Sequence, residues 1–191
     1  LARTSLFALI VAGSLAPRAM ASGFQLREQS PSAQGNAFAG ISAGGSDIGS
    51  MFFNPATLTL FTDGQVVIGG SFIKPQATPS DLGGKYLSGA TISGPASAPN
   101  GANSAVLPNL YAMWSLSKDL KLGVAINAPY GLVTEYQSDF VGRYHALKSD
   151  LKTQEIAPTL AYRVNDQWSI GITGIARKAD ATLSNAVDFG T

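Results

Sequence analysis

The stretch that decides the fold is residues 107–128, LPNLYAMWSLSKDLKLGVAINA. Apolar side chains occupy every second position on both sides of the polar segment 117–119. These side chains are Leu110, Ala112, Trp114 and Leu116 before it, and Leu122, Val124, Ile126 and Ala128 after it. Alternation with a period of two predicts strands with one apolar face, and so short a connection predicts an antiparallel hairpin.

Three further alternating runs extend this hairpin into a sheet. They cover residues 65–73, 151–164 and 168–178, so the chain contains five predicted strands. In the fourth run, for example, Ile156 and Leu160 lie on one face, while small or polar residues occupy the other. A soluble β-sandwich also alternates in this way, so the pattern alone leaves both a sandwich and a barrel open.

The connections between these strands are unequal in length. Segments 117–119 and 165–167 are tight polar turns, whereas 74–106 and 132–150 are long. Short turns at one end and long loops at the other are the layout of outer-membrane β-barrels, with the long loops outside the cell. Trp114, Tyr162 and Trp168 lie near the short turns, where such barrels carry a girdle of aromatic side chains.

The composition supports a membrane barrel. Only 13% of the 191 residues are charged, and the net charge is +1, which gives no electrostatic footprint for nucleic acid. The absence of cysteine excludes disulfides and cysteine-based zinc sites. Because single-chain bacterial barrels have eight strands or more, five strands predict the N-terminal part of a longer protein. An oligomer that pools strands from several chains is the alternative.

The first residues predict export. Residues 1–21 contain Arg3, an apolar segment 6–16 and the small-x-small sequence Ala19-Met20-Ala21, which together are typical of a cleaved signal peptide. The apolar segment is much shorter than a membrane-spanning helix, and Pro17 interrupts it, so an uncleaved anchor is less favoured. We therefore expect three parts: a signal peptide (1–21), an N-terminal segment (22–62) and barrel strands (63–191).

The N-terminal segment 22–62 is rich in Gly, Ser and Ala and shows no period of two. Short helices are predicted near 32–38 and 55–61, the second capped by Asn54 and begun by Pro55. So small a segment does not bury a core of its own. It therefore needs another part of the protein to pack against.

Four blocks of this sequence resemble the FadL/TodX family of outer-membrane transporters for hydrophobic compounds. They are GFQLREQS (23–30), FNPATL (53–58), LPNLYAMWSLSKDLKLGVAINAPYGLVTEY (107–136) and LAYRVNDQWSIGIT (160–173). The resemblance implies an all-β, 14-stranded barrel in the outer membrane of a Gram-negative bacterium, plugged by a partly helical hatch. It also implies passive transport of long-chain fatty acids or other hydrophobic molecules, which leave sideways through a gap at a kinked third strand. We expect a monomer when full length, in contact with outer-membrane lipid.

The resemblance also assigns roles to particular residues. Phe24 would reach the ligand pocket. Asn54-Pro55-Ala56 would be the hatch motif, buried against the inner wall of the barrel. The third predicted strand runs into Pro129, Tyr130 and Gly131, where proline removes a ladder donor and glycine weakens pairing. These three residues are the predicted kink and lateral gate. The alternative is that Pro129 simply ends the strand at its loop.

Ligand-binding side chains are predicted in the long loops and on the last strand. Leu82, Tyr86, Leu87 and Leu132 are expected to form an external groove that captures the ligand. A fatty-acid carboxylate requires a cation, and the candidates are Arg143, His145, Arg177 and Lys178, of which Arg177 is retained as a predicted ligand contact. The favoured alternatives are a solvated loop charge for Arg143, a polar loop contact for His145, and lumen or rim charges for Arg177 and Lys178.

No enzymatic site is predicted. The only histidine, His145, has no serine or cysteine nucleophile motif around it, and Asp47 and Asp63 lie in glycine-rich turns. No phosphate-binding or metal-ligand motif occurs, so no cofactor and no metal are expected. Two alternative functions remain open for the barrel: a general diffusion porin and an adhesin-type surface protein.

Overall fold

The computed structural model describes residues 25–80, 84–86 and 88–189. The predicted signal peptide (1–21) and the predicted ligand contacts Phe24, Leu82 and Leu87 lie outside these residues. The N-terminal segment contains the short helix α1 (Pro31–Gln34) and two 3₁₀ helices, Ile48–Phe52 and Pro55–Leu60. None of the helices in the described residues is long and apolar enough to cross a membrane.

Seven strands in the described residues form one antiparallel sheet. Their bounds are β1 Gln65–Ile73, β2 Ala105–Ser115, β3 Leu120–Asn127, β4 Gly131–Glu135, β5 Lys148–Arg163, β6 Ser169–Thr173 and β7 Ala176–Ser184. The order is β1-β2-β3-β5-β4, with β6 and β7 also paired to β5. A third 3₁₀ helix, Val141–Tyr144, lies between β4 and β5.

These seven strands follow the five predicted runs. β3 and β4 pair with successive parts of β5 and are two halves of one third strand, and β6 and β7 are likewise two halves of a fifth. The prediction that 132–150 is a loop throughout is wrong, because β4 begins at Gly131 and β5 at Lys148. In the fifth strand, Gly174 donates to the Pro158 carbonyl at 2.9 Å, and Pro158 has no N–H to return the bond.

The sheet is inverted relative to a soluble protein, because its apolar face is exposed. Ile68 is 76% exposed, Ile172 71% and Phe72 68%. The opposite face is buried and carries small or polar side chains such as Ala125, Asn127 and Thr159. Lipid is the solvent that favours such an outward face, as in a transmembrane barrel.

The aromatic side chains Trp114, Tyr162 and Trp168 lie together at the short-turn end of this outward face. Trp114 pairs with Leu122 and Tyr162 with Leu120, and all three aromatic side chains are about half exposed or more. This is the position expected for the interfacial girdle of a membrane barrel.

The N-terminal segment packs on the inner face of the sheet. Ile48, Met51 and Leu58 from the two 3₁₀ helices are buried against Tyr111 and Met113 of β2. A Cβ added to Gly123 would lie 2.7 Å from Leu58 Cδ1, so this close approach requires glycine in the wall. Residues 25–62 therefore form a plug, which we call the hatch.

Local capping fixes the shape of the hatch. The Asp47 side chain accepts a bond from the Gly49 N–H at 2.8 Å, and the Asn54 side chain accepts one from the Ala56 N–H at 3.1 Å. The predicted cap at Asn54 and the predicted helix start at Pro55 are confirmed. Both interactions satisfy donors that a helix start leaves free.

Candidate functional site

The third strand is interrupted at Ala128-Pro129-Tyr130. β3 ends where Asn127 pairs with Glu155, and β4 begins where Gly131 pairs with Lys152. Three residues of the third strand thus face two residues of β5, which is a bulge with one extra residue. Because the chain then resumes pairing with the same neighbour, Pro129 does not end the strand at a loop.

The bulge borders a gap in the sheet. The ladder between β2 and β3 stops at the pair Leu110 and Ile126. Beyond it, the segment just before β2 meets β4 again, where the Asn103 N–H donates to the Val133 carbonyl at 2.9 Å and Ala102 bridges Thr134. No ladder pair among the described residues joins β2 to the third strand between these two points. We call this interval the wall gap.

The start of the hatch supplies hydrogen-bond partners to the bulge. Leu26 N–H donates to the Pro129 carbonyl at 2.9 Å, and Gln25 forms a β-bridge with Tyr130. The Gln29 amide donates to the Ala128 carbonyl at 3.2 Å. These contacts matter because unpaired backbone at membrane depth is costly.

A second set of contacts holds the bulge from β5 and β7. Arg177 Nε donates to Glu155 Oε2 at 2.9 Å, and its guanidinium lies 4.6 Å from the centre of the Tyr130 ring. The Tyr130 N–H also donates to Thr153 Oγ1 at 3.0 Å. The Arg177 charge is therefore compensated by a carboxylate of the chain itself, which weakens its candidacy as a ligand cation.

A pocket of about 300 Å³ lies on the hatch next to the bulge. Its lining consists of Gln25, Leu26, Arg27, Phe52 and Phe53. The Arg27 guanidinium lies 5.1 Å from the centre of the Phe38 ring, and it has no ion pair within the described residues. Arg27 was not among the cations predicted from the sequence, although it lies in the block GFQLREQS that carries the predicted pocket residue Phe24.

The hatch motif Asn54-Pro55-Ala56 is half-buried among the described residues, and its full burial against the inner wall stays a prediction. Among the described strands, β6 approaches it from one side: a Cβ on Gly171 would lie 2.6 Å from the Ala56 nitrogen. Asn54 also donates to the Ser42 carbonyl at 2.8 Å. The motif thus joins two turns of the hatch, and the deep contacts come from Met51 and Leu58 on either side.

The loop residues predicted to capture ligand occupy different surroundings. Tyr86 and Tyr144 share a hydrogen bond of 3.2 Å, and this bond raises the pKa of the Tyr86 hydroxyl above its ordinary value. Arg143 stacks on Tyr144 and donates to the Ser93 carbonyl at 2.7 Å, so it pins one long loop to the other. Leu132 lies instead on β4, where it pairs with Leu151.

The remaining cation candidates do not face the pocket on the hatch. His145 is exposed and follows the 3₁₀ helix Val141–Tyr144. Lys178 makes an exposed ion pair of 3.0 Å with Asp180. Within the described residues, no group of three or more His, Cys, Asp or Glu side chains is placed to hold a metal ion.

Comparison with known proteins identifies the family. Residues 12–190 match the family model "Outer membrane protein transport protein (OMPP1/FadL/TodX)". The chain belongs to this family. The resemblance seen in the four sequence blocks is confirmed, and with it the outer-membrane location and the fold, an antiparallel membrane β-barrel with an N-terminal plug, present here in part.

Individual relatives agree. The chain is 33% identical to the long-chain fatty acid transport protein of Escherichia coli K12 over 185 residues, covering 96% of this chain and 40% of that protein. It is 32% identical to outer membrane protein P1 of Haemophilus influenzae Rd, covering 81% and 35%. A crystal structure of a Pseudomonas aeruginosa FadL homologue superposes with a TM-score of 0.67 at 20% identity, covering 86% and 39%. The chain thus spans less than half the length of these relatives.

Proposed function

We propose that the protein carries hydrophobic molecules, such as long-chain fatty acids or hydrocarbons, passively across the outer membrane. The observation that carries this proposal is that the hatch fills the inner side of an outward-apolar sheet and hydrogen-bonds to the bulge beside the wall gap. The name of the Escherichia coli relative, a long-chain fatty acid transport protein, supports the substrate class.

The proposed exit is lateral, through the wall gap into the lipid. Transfer of an apolar chain from water to an apolar environment is favourable by about 0.8 kcal/mol per CH₂. Movement along a continuous apolar path therefore needs no energy source. Movement of residues 25–29 away from Pro129 and Tyr130 would uncover the bulge and open this path. Pro129, Tyr130 and Gly131 are the proposed gate residues. Asn54, Pro55 and Ala56 are the proposed hatch motif, which holds neighbouring turns of the hatch together.

The proposed ligand path begins in the long loops and ends at the pocket on the hatch. Leu82, Tyr86, Leu87 and Leu132 remain the proposed outer contacts, and Phe24 the proposed inner one. For a carboxylate ligand, Arg27 replaces Arg177 as the favoured cation, because Arg177 is paired with Glu155 and Arg27 borders the pocket. Phe52 and Phe53 supply apolar surface for the chain of the ligand.

Uptake of labelled substrate tests the proposal. Cells that lack the gene, and cells that carry the full-length gene, are compared for uptake of a labelled long-chain fatty acid and of toluene. We expect faster uptake of at least one substrate with the gene present, and slower uptake when Phe24→Ala is introduced. Equal uptake with and without the gene for both substrates would overturn the proposal.

Two other barrel functions have weaker support. A general diffusion porin needs an open lumen, and the hatch instead packs on the inner wall through Ile48, Met51 and Leu58. An adhesin-type protein would act through the long loops, and for it the fatty-acid experiment predicts no change in uptake. We propose no enzymatic activity, in keeping with the relatives, whose names describe transport or outer-membrane proteins.

A further inference from the structure

Three buried amide side chains lie next to the wall gap. Gln29, Asn109 and Asn127 are 1%, 2% and 3% exposed. Within the described residues, no hydrogen-bond partner reaches Gln29 Oε1 or either polar side-chain atom of Asn109, and the Asn127 amide has only the Tyr111 hydroxyl beside it. We call these residues the amide cluster. An unpaired buried polar atom destabilises a fold, so a cluster of them favours the binding of a polar group.

The amide cluster lies at the level of the bulge on the inner side of the wall. Asn127 is the last residue of β3. The ladder between β2 and β3 ends at Leu110 and Ile126, and the next position in the same register places Asn109 opposite Asn127. Gln29 joins them from the hatch, where its Nε2 donates to the Ala128 carbonyl at 3.2 Å. Hatch residue Pro31 covers the cluster: Pro31 Cγ and Asn109 Oδ1 lie 2.7 and 2.8 Å from the position of a Cβ on Gly69.

The charge of the surroundings selects a neutral ligand. Glu155 pairs with Asn127 across the ladder, and Arg177 neutralises its charge. Asp47, the other charged group that acts on the adjacent Tyr111, is a carboxylate and disfavours an anion. The cluster itself offers amide donors and amide acceptors in the same place. A carboxylate accepts hydrogen bonds but donates none, and it would leave the amide oxygens unpaired. A hydroxyl or a protonated carboxyl both donates and accepts, and so matches them.

We propose that the amide cluster binds the neutral, hydrogen-bonding head group of an amphiphile at the wall gap. The inference rests on the proposed transport function and adds a site to it. A head group that moves from the lumen toward lipid loses its water, and burial of a hydroxyl without a partner is costly. The amides of Asn109 and Asn127 supply those partners at the place where the wall is open.

The test compares 1-dodecanol with dodecane, which share a chain length and differ in the hydroxyl. Uptake of both is measured in cells that produce the full-length protein, either unaltered or with Asn109→Leu and Asn127→Leu together. Leucine keeps the shape of asparagine and removes both amides. We expect the ratio of dodecanol to dodecane uptake to fall about fivefold, which corresponds to ~1 kcal/mol, the net value of one hydrogen bond.

Controls make each outcome decisive. Asn103→Leu makes the same change at an exposed position near the wall gap and is expected to leave the ratio unaltered. The amount of each variant in the outer membrane and its heat-modifiable mobility on gels show whether it folds. If the double variant does not fold, Gln29→Met removes a different amide of the cluster and takes its place in the test. An unchanged ratio in these folded variants would overturn the proposed head-group site and leave the proposed transport function standing. Absence of uptake of either compound by the unaltered protein would overturn the transport function, and the amide cluster with it.

Discussion

Arg27 is the residue that we expect to distinguish a carboxylate ligand from a neutral one. Its guanidinium borders the pocket on the hatch and is held over the Phe38 ring. We expect Arg27→Gln to weaken binding of a long-chain fatty acid about tenfold, the size of one charge-assisted hydrogen bond, and to leave a fatty alcohol of equal length unaffected. Fluorescent-ligand displacement on the full-length protein measures both.

Two companion variants support this measurement. Arg27→Lys keeps the charge and should retain most of the affinity, while Lys118→Gln removes an exposed cation from a short turn and should change nothing. Equal loss of acid and alcohol affinity in Arg27→Gln would mean that the side chain shapes the pocket and does not bind a carboxylate.

Arg177 and Glu155 show how burial makes the two halves of an ion pair unequal. The Glu155 side chain is 3% exposed, whereas that of Arg177 is 34% exposed. Arg177→Gln leaves a buried carboxylate without its partner and should cost about 3–5 kcal/mol of unfolding free energy. Glu155→Gln should cost less, and the double substitution should recover most of the loss. Urea unfolding of the full-length protein in liposomes measures the series, and a double variant weaker than Arg177→Gln would contradict it.

Among the elements, the third strand carries the sharpest prediction. Deleting Pro129 removes the extra residue of the bulge, so that the pairs Asn127–Glu155 and Gly131–Lys152 fall into one register. The third strand would then pair with β5 without interruption, and the Leu26 N–H would lose its acceptor, the Pro129 carbonyl. We expect uptake of hydrophobic substrate to fall about tenfold or more, while the barrel still folds, because a regular ladder is the more stable arrangement.

The matched control for this deletion is loss of Ser88, an exposed residue of the long loop before β2. It shortens the chain by the same amount and leaves the third strand as it is. Normal uptake in the Pro129 deletion would show that the bulge has no part in transport.

The elements that the sequence predicted are those with a period or a cap. Alternation placed Leu122, Val124 and Ile126 on the outward face because a strand has two faces and lipid covers one. β4 was missed because five residues after a proline have too little pattern to count. The partners of Arg177 and Arg27 were missed because they are brought together by pairing across strands and by folding of the hatch, which has no period.

At the scale of the whole molecule, the outward and inward faces exchange the roles they have in a soluble protein. Ile68 and Phe72 are exposed, while Lys121 is 2% exposed and donates to Ser115 Oγ at 2.9 Å. Ser115 in turn donates to the Thr62 carbonyl at 2.7 Å, which ties the end of the hatch to the short-turn end of the wall. The polar face therefore holds the plug, and the apolar face is left for lipid.

The hatch is the feature that separates a plugged transporter from an open pore. Deletion of residues 25–62 would uncover Tyr111 and Met113 and remove Ile48, Met51 and Leu58 from the lumen. We expect the full-length protein to show little steady conductance in planar bilayers and the deletion variant to show large, stable channels. Removal of residues 88–90 from the long loop is the control and should leave conductance low. If the unaltered protein conducts as well as the deletion variant, the lumen is open at rest and the porin function is the better description.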